Sequence, residues 1–484
     1  MHVLIVGAGI AGLSCAFKLS ESDAYTQGLL KVTVLEASGR VGGIIETDIL
    51  NDCILESGPD SFITNKPYML DLAARLGISK RIIPTEAKDR GAMVVSDGKL
   101  QKLPEGFTLL APTKVLPFLQ SPMLSWSGKI RALCEIFLPA KNMHSKMDES
   151  LADFVRRRFG RELFERLAQP MVAGIYVGDA EKLSASMTAE RFVNFEQSAG
   201  SVIGGLMAEQ NVSGGKTSSG NQSSLGVRYG LFCSFDRGMQ FLVDTLVDKL
   251  KDAGVEILLN HPVKQIVESA GKWQVADIVA DHIVLAVPAA VSARLIKDCA
   301  PELEQELGSI EAASSAVINM IIDWSDIGAR LDAFGVVVPE VEMKKLGLSV
   351  IALSFASKKF SGRAPGDYLV LRAFVGGSKN SALLDRSDDE LCALVIADLV
   401  KLIGYRKGAA PSFMNVRRWP NSMPQFHVGH RQLLARIESK LESYPHLGLA
   451  GASYRGVGLP ECVNSGELCA EKILKAFTGR QLVV

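Results

Sequence analysis

An apolar run, Val3-Leu4-Ile5-Val6, passes directly into Gly7-Ala8-Gly9-Ile10-Ala11-Gly12. The run reads as a buried parallel strand and the glycines as the turn after it. Gly7 permits the tight turn, Gly9 lets the backbone approach a pyrophosphate, and Gly12 lets the next helix pack closely on the strand. The free amides and positive dipole end of that helix then face phosphates. A lone G-x-G-x-x-G series is weak evidence, because chance matches are expected among 44 glycines. Here the context decides. Ile10, Leu13, Cys15, Phe17 and Leu19 give an apolar-periodic helix, and Val32-Thr33-Val34-Leu35 ends on Glu36, about where a ribose-binding acid belongs. The polar insert from Glu21 to Gln27 explains a slightly stretched spacing. The chain opens as a dinucleotide site.

Arg40-Val41-Gly42-Gly43 adds a second phosphate-approach element after the acid, which favours FAD over NAD. Composition agrees with a multi-lobed enzyme. A chain of 484 residues exceeds what one hydrophobic core supports. A net charge of zero gives no broad field toward nucleic acid or anionic lipid. The eight cysteines are scattered without metal-ligand spacing, so no metal is expected, and they read as reduced core residues of a cytosolic protein. The N-terminus shows no signal or transit pattern, and no apolar run reaches the roughly eighteen residues of a membrane span. The expected location is the cytoplasm, with peripheral membrane contact and homodimer formation left open.

The nucleotide fold recurs further along. Asp236-Arg237-Gly238 precedes a helix with Met239, Leu242, Val243, Leu246 and Leu250 on one face. Val255 to Leu259, His261-Pro262-Val263 and His282 to Pro288 then read as strands. Leu447 to Leu474 reads as strand, glycine turn and terminal helix. The expected fold is α/β. A Rossmann-type FAD-binding domain is assembled from residues 1–90, 231–291 and 426–484. A helical insertion covers 91–230 and a mixed-sheet substrate domain covers 292–425. In the insertion, Trp126, Ile130, Leu133 and Phe137 recur at helical spacing beside Lys114, Lys129 and Arg131, and read as lobe core rather than a membrane face. Asn211 to Gly226, rich in Ser, Gly and Asn, reads as a mobile loop. Pro460 suits a first helical turn, so the last helix points its positive end at whatever the turn from Gly451 to Gly458 encloses.

The opening strand, glycine loop, acid and R-x-G-G series resemble the superfamily of flavin amine oxidases, phytoene desaturases and protoporphyrinogen oxidases. More widely spaced stretches resemble its protoporphyrinogen and coproporphyrinogen oxidase branch. These are Glu56 to Phe62, Gln169 to Tyr176, Phe334 to Pro339, Phe374 to Gly377, Arg418-Trp419-Pro420, Met423 to Phe426 with Val428 to His430, and Gly451 to Cys462. The resemblance implies non-covalent FAD held by Gly7, Ala8, Gly9, Ile10, Ala11, Gly12, Glu36, Ala37, Arg40, Gly43, Gly58, Pro59, Asp60, Val263, Trp419, Ala452, Val457, Gly458 and Leu459. The turn from Gly451 to Gly458 has no cysteine for covalent flavin attachment.

It further implies a porphyrinogen substrate with dioxygen as electron acceptor. Val337 and Phe374 would flank the macrocycle, and the Gly174 backbone would line the slot. From the residues alone, Val337 and Phe374 read as strand core rather than slot walls. Lys66 is either a propionate partner or a surface lysine. The arginine that eukaryotic-type members use for a propionate has no clear counterpart, the matched position falling near Ala92 beside Arg90. His427 and His430 read as structural. Hydride loss from a carbon between two electron-rich pyrroles needs placement against the flavin rather than a strong base, which agrees with the absence of a nucleophile-and-base constellation. An amine or carotenoid oxidoreductase, and a non-catalytic FAD-containing membrane-docking scaffold, remain the other readings. The number of propionates on the substrate is open.

Overall fold

The structure is a computed structural model describing residues 1–141, 148–214, 231–269 and 271–481. Its nucleotide lobe is built on a five-stranded parallel sheet ordered Glu256–Leu258, Lys31–Leu35, His2–Val6, His282–Leu285, Leu447–Leu449. Val3, Leu4 and Ile5 of the central strand are fully buried, as expected of a parallel strand covered on both faces. The sheet draws its strands from three separated stretches of chain, so the cofactor lobe is discontinuous. Helix Ile10–Ser20 is buried along almost its whole length and packs on the terminal helix Leu459–Gln481. That approach needs Gly466, where a Cβ would stand 2.1 Å from the Ala11 carbonyl oxygen.

The second layer is a seven-stranded mixed sheet ordered Phe413–Pro424, Ala312–Asp323, Tyr368–Gly376, Val350–Phe355, Gly335–Val337, Met93–Ser96, Lys99–Lys102. Two differences from the sequence reading follow. The segment from residue 91 begins not with helix but with the hairpin Met93–Ser96 and Lys99–Lys102, whose first strand pairs in parallel with Gly335–Val337. The segment from 292 first finishes helix Ala289–Ile296 and then forms Pro301–Gly308, both packed on the nucleotide sheet, before the second sheet starts at Ala312. Strand Phe413–Pro424 escaped the sequence reading because Pro420 and Pro424 argue against a strand. It lies at the sheet edge, where a missing N–H is tolerated. His261-Pro262-Val263 is not a strand. Its backbone is tied to the acid loop instead, with His261 N–H donating to the Glu36 carbonyl at 2.8 Å.

The third part is a helical lobe around Phe154, Phe159, Leu163, Leu167 and Ile203. Arg158 and Glu135 form an ion pair at its centre, both fully buried, and Glu135 also accepts from the Val202 and Ile203 amides at the start of helix Val202–Gly214. That helix takes up the first residues of the loop expected from Asn211, and residues 215–226 lie outside the described residues. The apolar stripe is also corrected. In helix Trp126–Leu133 and the turn Cys134–Phe137, the buried residues are Gly128, Lys129, Ala132 and Glu135, whereas Trp126, Ile130 and Phe137 are 67%, 59% and 84% exposed. Small residues and the Lys129 stem occupy the inward face, and the Lys129 ammonium donates to the Leu119 carbonyl. Among the described residues no helix is long and apolar enough to cross a membrane.

Candidate active site

The glycine loop has the geometry its sequence calls for. Gly7 adopts φ +105°, and a Cβ there would stand 2.6 Å from the Ala286 carbonyl oxygen. At Gly12 a Cβ would meet the Gly7 carbonyl oxygen at 2.0 Å, so the helix can sit this close to the turn only with glycine. Gly9 differs, because no protein atom lies within 4 Å of its would-be Cβ. The space beside Gly9 is open, at the N-cap of helix Ile10–Ser20, where no side chain caps the free amides. Glu36 ties into this loop. Its Oε2 accepts from the Ala8 amide at 2.9 Å and its Oε1 from the Ser38 amide and hydroxyl at 2.9 and 2.8 Å. A carboxylate has about four acceptor positions, so lone pairs remain for ribose hydroxyls. Ala37, next to it, is exposed.

The R-x-G-G segment folds onto the same loop. The Gly42 amide donates to the Ala8 carbonyl at 2.8 Å, and a Cβ at Gly43 would stand 3.3 Å from Gly9 Cα. Arg40 organises this turn by donating to the carbonyls of Val41, Gly43 and Ile45. One cavity joins Gly9, Ile10 and Ala11 to Gly42 and to Ala452 and Leu459 of the C-terminal stretch. The terminal turn is set by hydrogen bonds from the Gly451 amide to Ser465 and from the Ala289 amide to Ser453. Val457 and Gly458 follow in the turn leading into helix Leu459–Gln481. The pieces fit a dinucleotide: open backbone donors, an acid fixed to the glycine loop, and a helix N-terminus at the far end.

Gly58, Pro59 and Asp60 stand at the seam between the two sheets. Gly58 is pressed so closely on the Ile44 carbonyl that no side chain fits, and its own carbonyl accepts from Arg372. Asp60 pairs with Lys359 at 2.9 Å and Arg372 at 3.2 Å. Burial opposes its charge, but the two cations prevail and hold its carboxyl well below the ordinary carboxylate range. Trp419 reaches the same loop from the edge strand, its Nε1 donating to the Ser57 carbonyl at 2.7 Å. Asn319, opposite Arg372 in register, donates to Ser57 Oγ at 3.3 Å. Arg372, Lys359 and Asn319 were missed by the sequence reading. The signal was present, since Arg372 and Asn319 each interrupt a continuous apolar strand. Val263, half-buried, packs against the apolar cluster on one face of the nucleotide sheet.

Gly174, Val337 and Phe374 come together. Val337 pairs with Ala352 and Ala352 with Phe374, so the two side chains share one face of the sheet, two strands and about 10 Å apart. Gly174, exposed on helix Gln169–Tyr176, lies over Val337, a Cβ there standing 3.7 Å from Val337 Cγ1. Phe374 is only partly buried, and Val337, also partly buried, packs against the edge of the helical lobe's core. The Arg372 guanidinium lies 5.1 Å from the Phe374 ring centroid. The basic candidates separate clearly. Lys66 is bound to Glu461 at 2.5 Å, Arg131 donates to the carbonyls of Arg156, Arg157 and Arg158, and Arg191 pairs with Glu209, whereas Arg90 is exposed with no partner among the described residues. His430 is buried, bonded to the Tyr454 carbonyl at 3.0 Å and stacked on Phe426, and His427 lies 3.8 Å from Glu311.

A family model described as flavin containing amine oxidoreductase matches residues 10–474. The chain therefore belongs to the flavin-containing amine oxidoreductase family, and as a flavin-dependent oxidoreductase it uses FAD. Several of the proteins it is similar to are porphyrinogen oxidases. It is 30% identical to coproporphyrinogen III oxidase of Bacillus subtilis, over 98% of both chains. It is 27% identical to protoporphyrinogen oxidase 2 of Arabidopsis thaliana, over 98% of this chain and 94% of that one. A solved structure from Exiguobacterium sp., provisionally named a protoporphyrinogen oxidase, superimposes with a TM-score of 0.82 at 29% identity, covering 98% of each chain.

Proposed function

We propose that the protein oxidises a porphyrinogen to the porphyrin, removing six hydrogens in three two-electron rounds and passing the electrons to three dioxygen molecules to give three hydrogen peroxides. The observation that carries this reading is that Val337 and Phe374 stand on one face of the second sheet, with the exposed Gly174 backbone over Val337. Bound FAD supplies the hydride acceptor. The protein's share is placement. Phe374 offers a ring face to one pyrrole, with Arg372 behind it. Val337 bounds the opposite side of the macrocycle and excludes water. The Gly174 carbonyl, which accepts no hydrogen bond among the described residues, receives a pyrrole N–H. For the substrate carboxylates, Arg90 is the basic candidate left without a partner among the described residues, whereas Lys66 is already engaged by Glu461. Anaerobic mixing with coproporphyrinogen and with protoporphyrinogen tests the reading. Rapid flavin bleaching by either supports it, the faster one names the substrate, and bleaching only by an amine overturns it.

We also propose peripheral contact with a lipid surface, because Leu116, Trp126, Ile130 and Phe137, within residues 115–137, are each more than half exposed. Flotation with phospholipid vesicles checks this. Wild-type protein is expected in the lipid fraction and a Trp126→Ser, Phe137→Ser variant below it. Wild type left at the bottom overturns it.

A further inference from the structure

Eight non-glycine residues have positive φ among the described residues; six are Asn or Asp and one is Ala276. The eighth is Val177, at φ 51° and ψ 24°. A β-branched residue rarely occupies the left-handed region, and such strain persists only where surrounding contacts impose it. Those contacts are visible. Val177 ends helix Gln169–Tyr176, its amide donating to the Ala173 carbonyl at 3.0 Å while its own carbonyl accepts from the Ser378 amide at 3.0 Å. Gly377 is packed against it, so that a Cβ on Gly377 would stand 2.9 Å from the Val177 carbonyl oxygen and 3.0 Å from its Cγ1. Gln425 holds the adjoining Tyr176 carbonyl at 3.0 Å. At its other end the helix emerges from a π-helical turn, Phe164–Ala168, a local widening frequent at functional sites. The left-handed turn draws the chain away before Gly178 can donate to the Gly174 carbonyl.

We propose that Val177 is a positioning residue for substrate: its left-handed backbone, locked against the Gly377 turn, fixes the end of the slot helix so that the unbonded Gly174 carbonyl faces the macrocycle. Resting on the porphyrinogen reading, this adds a residue that touches neither flavin nor substrate. It also explains why Gly376 and Gly377 close the strand only two residues after Phe374, since the strand that carries the proposed aromatic wall also leads into the turn that clamps the helix.

The test compares Val177→Gly with Val177→Asn. Glycine accepts the left-handed conformation but does not enforce it, whereas asparagine favours it. Val177→Gly should bind FAD fully and melt within a few degrees of wild type, yet show a KM for porphyrinogen raised about tenfold with kcat changed less than about threefold. Val177→Asn should bring KM back to within about threefold of wild type. Amide exchange over residues 172–178 should accelerate in Val177→Gly and not in Val177→Asn. An unchanged KM together with unchanged exchange in Val177→Gly overturns the proposal, as does parallel loss of melting temperature and flavin in both variants. If wild type fails to oxidise porphyrinogens while the exchange pattern holds, the clamp stands and the substrate reading alone is lost.

Discussion

The glycine loop proposed to cradle FAD and the sheet face proposed to hold the macrocycle are built by opposite means. In the loop the backbone carries the constraint: at Gly7 and Gly12 a Cβ would stand 2.6 and 2.0 Å from a carbonyl oxygen, which excludes any side chain, and the space beside Gly9 is open. In the slot, side chains on a sheet make the walls, and any of several apolar residues could fill those positions. A backbone site therefore writes itself into the sequence as glycines at fixed offsets, while a side-chain site writes only an apolar strand. The seam between the two is ionic, with Lys359 and Arg372 joining Asp60 of the Gly58 loop to the seven-stranded sheet and the turn beside it.

The largest effect is expected at that seam. Asp60→Asn leaves Lys359 and Arg372 without their common partner, and breaking a buried pair costs about 3 to 5 kcal/mol. Because the folded carboxyl is held below its ordinary value, its contribution is complete above about pH 4 to 5 and is lost as pH falls through the folded value. Wild-type stability should therefore fall on acidification below about pH 4, with the fall shallower in the variant. Denaturant melts across that range check both statements, and parallel acid limbs would detach Asp60 from the seam.

A smaller effect is expected within the cradle. Glu36→Ala should weaken FAD by about 1.5 to 3 kcal/mol, the scale of a charge-assisted hydrogen bond, and also release the Ala8 amide. Fluorescence titration of apoprotein gives the number, and an unchanged dissociation constant would make Glu36 a loop brace alone. The smallest effect is expected on the exposed edge, where Trp126→Ser should change folding stability by less than about 0.5 kcal/mol. A larger loss in thermal melting would return Trp126 to the lobe core.

These contrasts explain how much was legible. The loop, its acid and the return of the nucleotide fold at His282–Leu285 and Leu447–Leu449 could be read because parallel strands and glycine turns have strict local signatures. The hairpin Met93–Ser96 and Lys99–Lys102 was not, since its pairing partner lies more than two hundred residues away. The stripe at Trp126 was misread because periodicity identifies an apolar face without saying which way it turns. Gly174, Val337 and Phe374 entered through resemblance; from their own residue types nothing distinguished them from core.

The central claim is that Phe374 meets substrate rather than core, and anaerobic single-turnover flavin reduction on wild type and Phe374→Ala tests it most directly. The account predicts that the variant keeps its FAD and melts close to wild type, because Phe374 is only partly buried, while reduction by porphyrinogen slows or needs more substrate and reoxidation by dioxygen is unchanged. A fall in stability of the roughly 3 to 5 kcal/mol typical of a truncated core phenylalanine, with reduction per bound flavin unaltered, would contradict it.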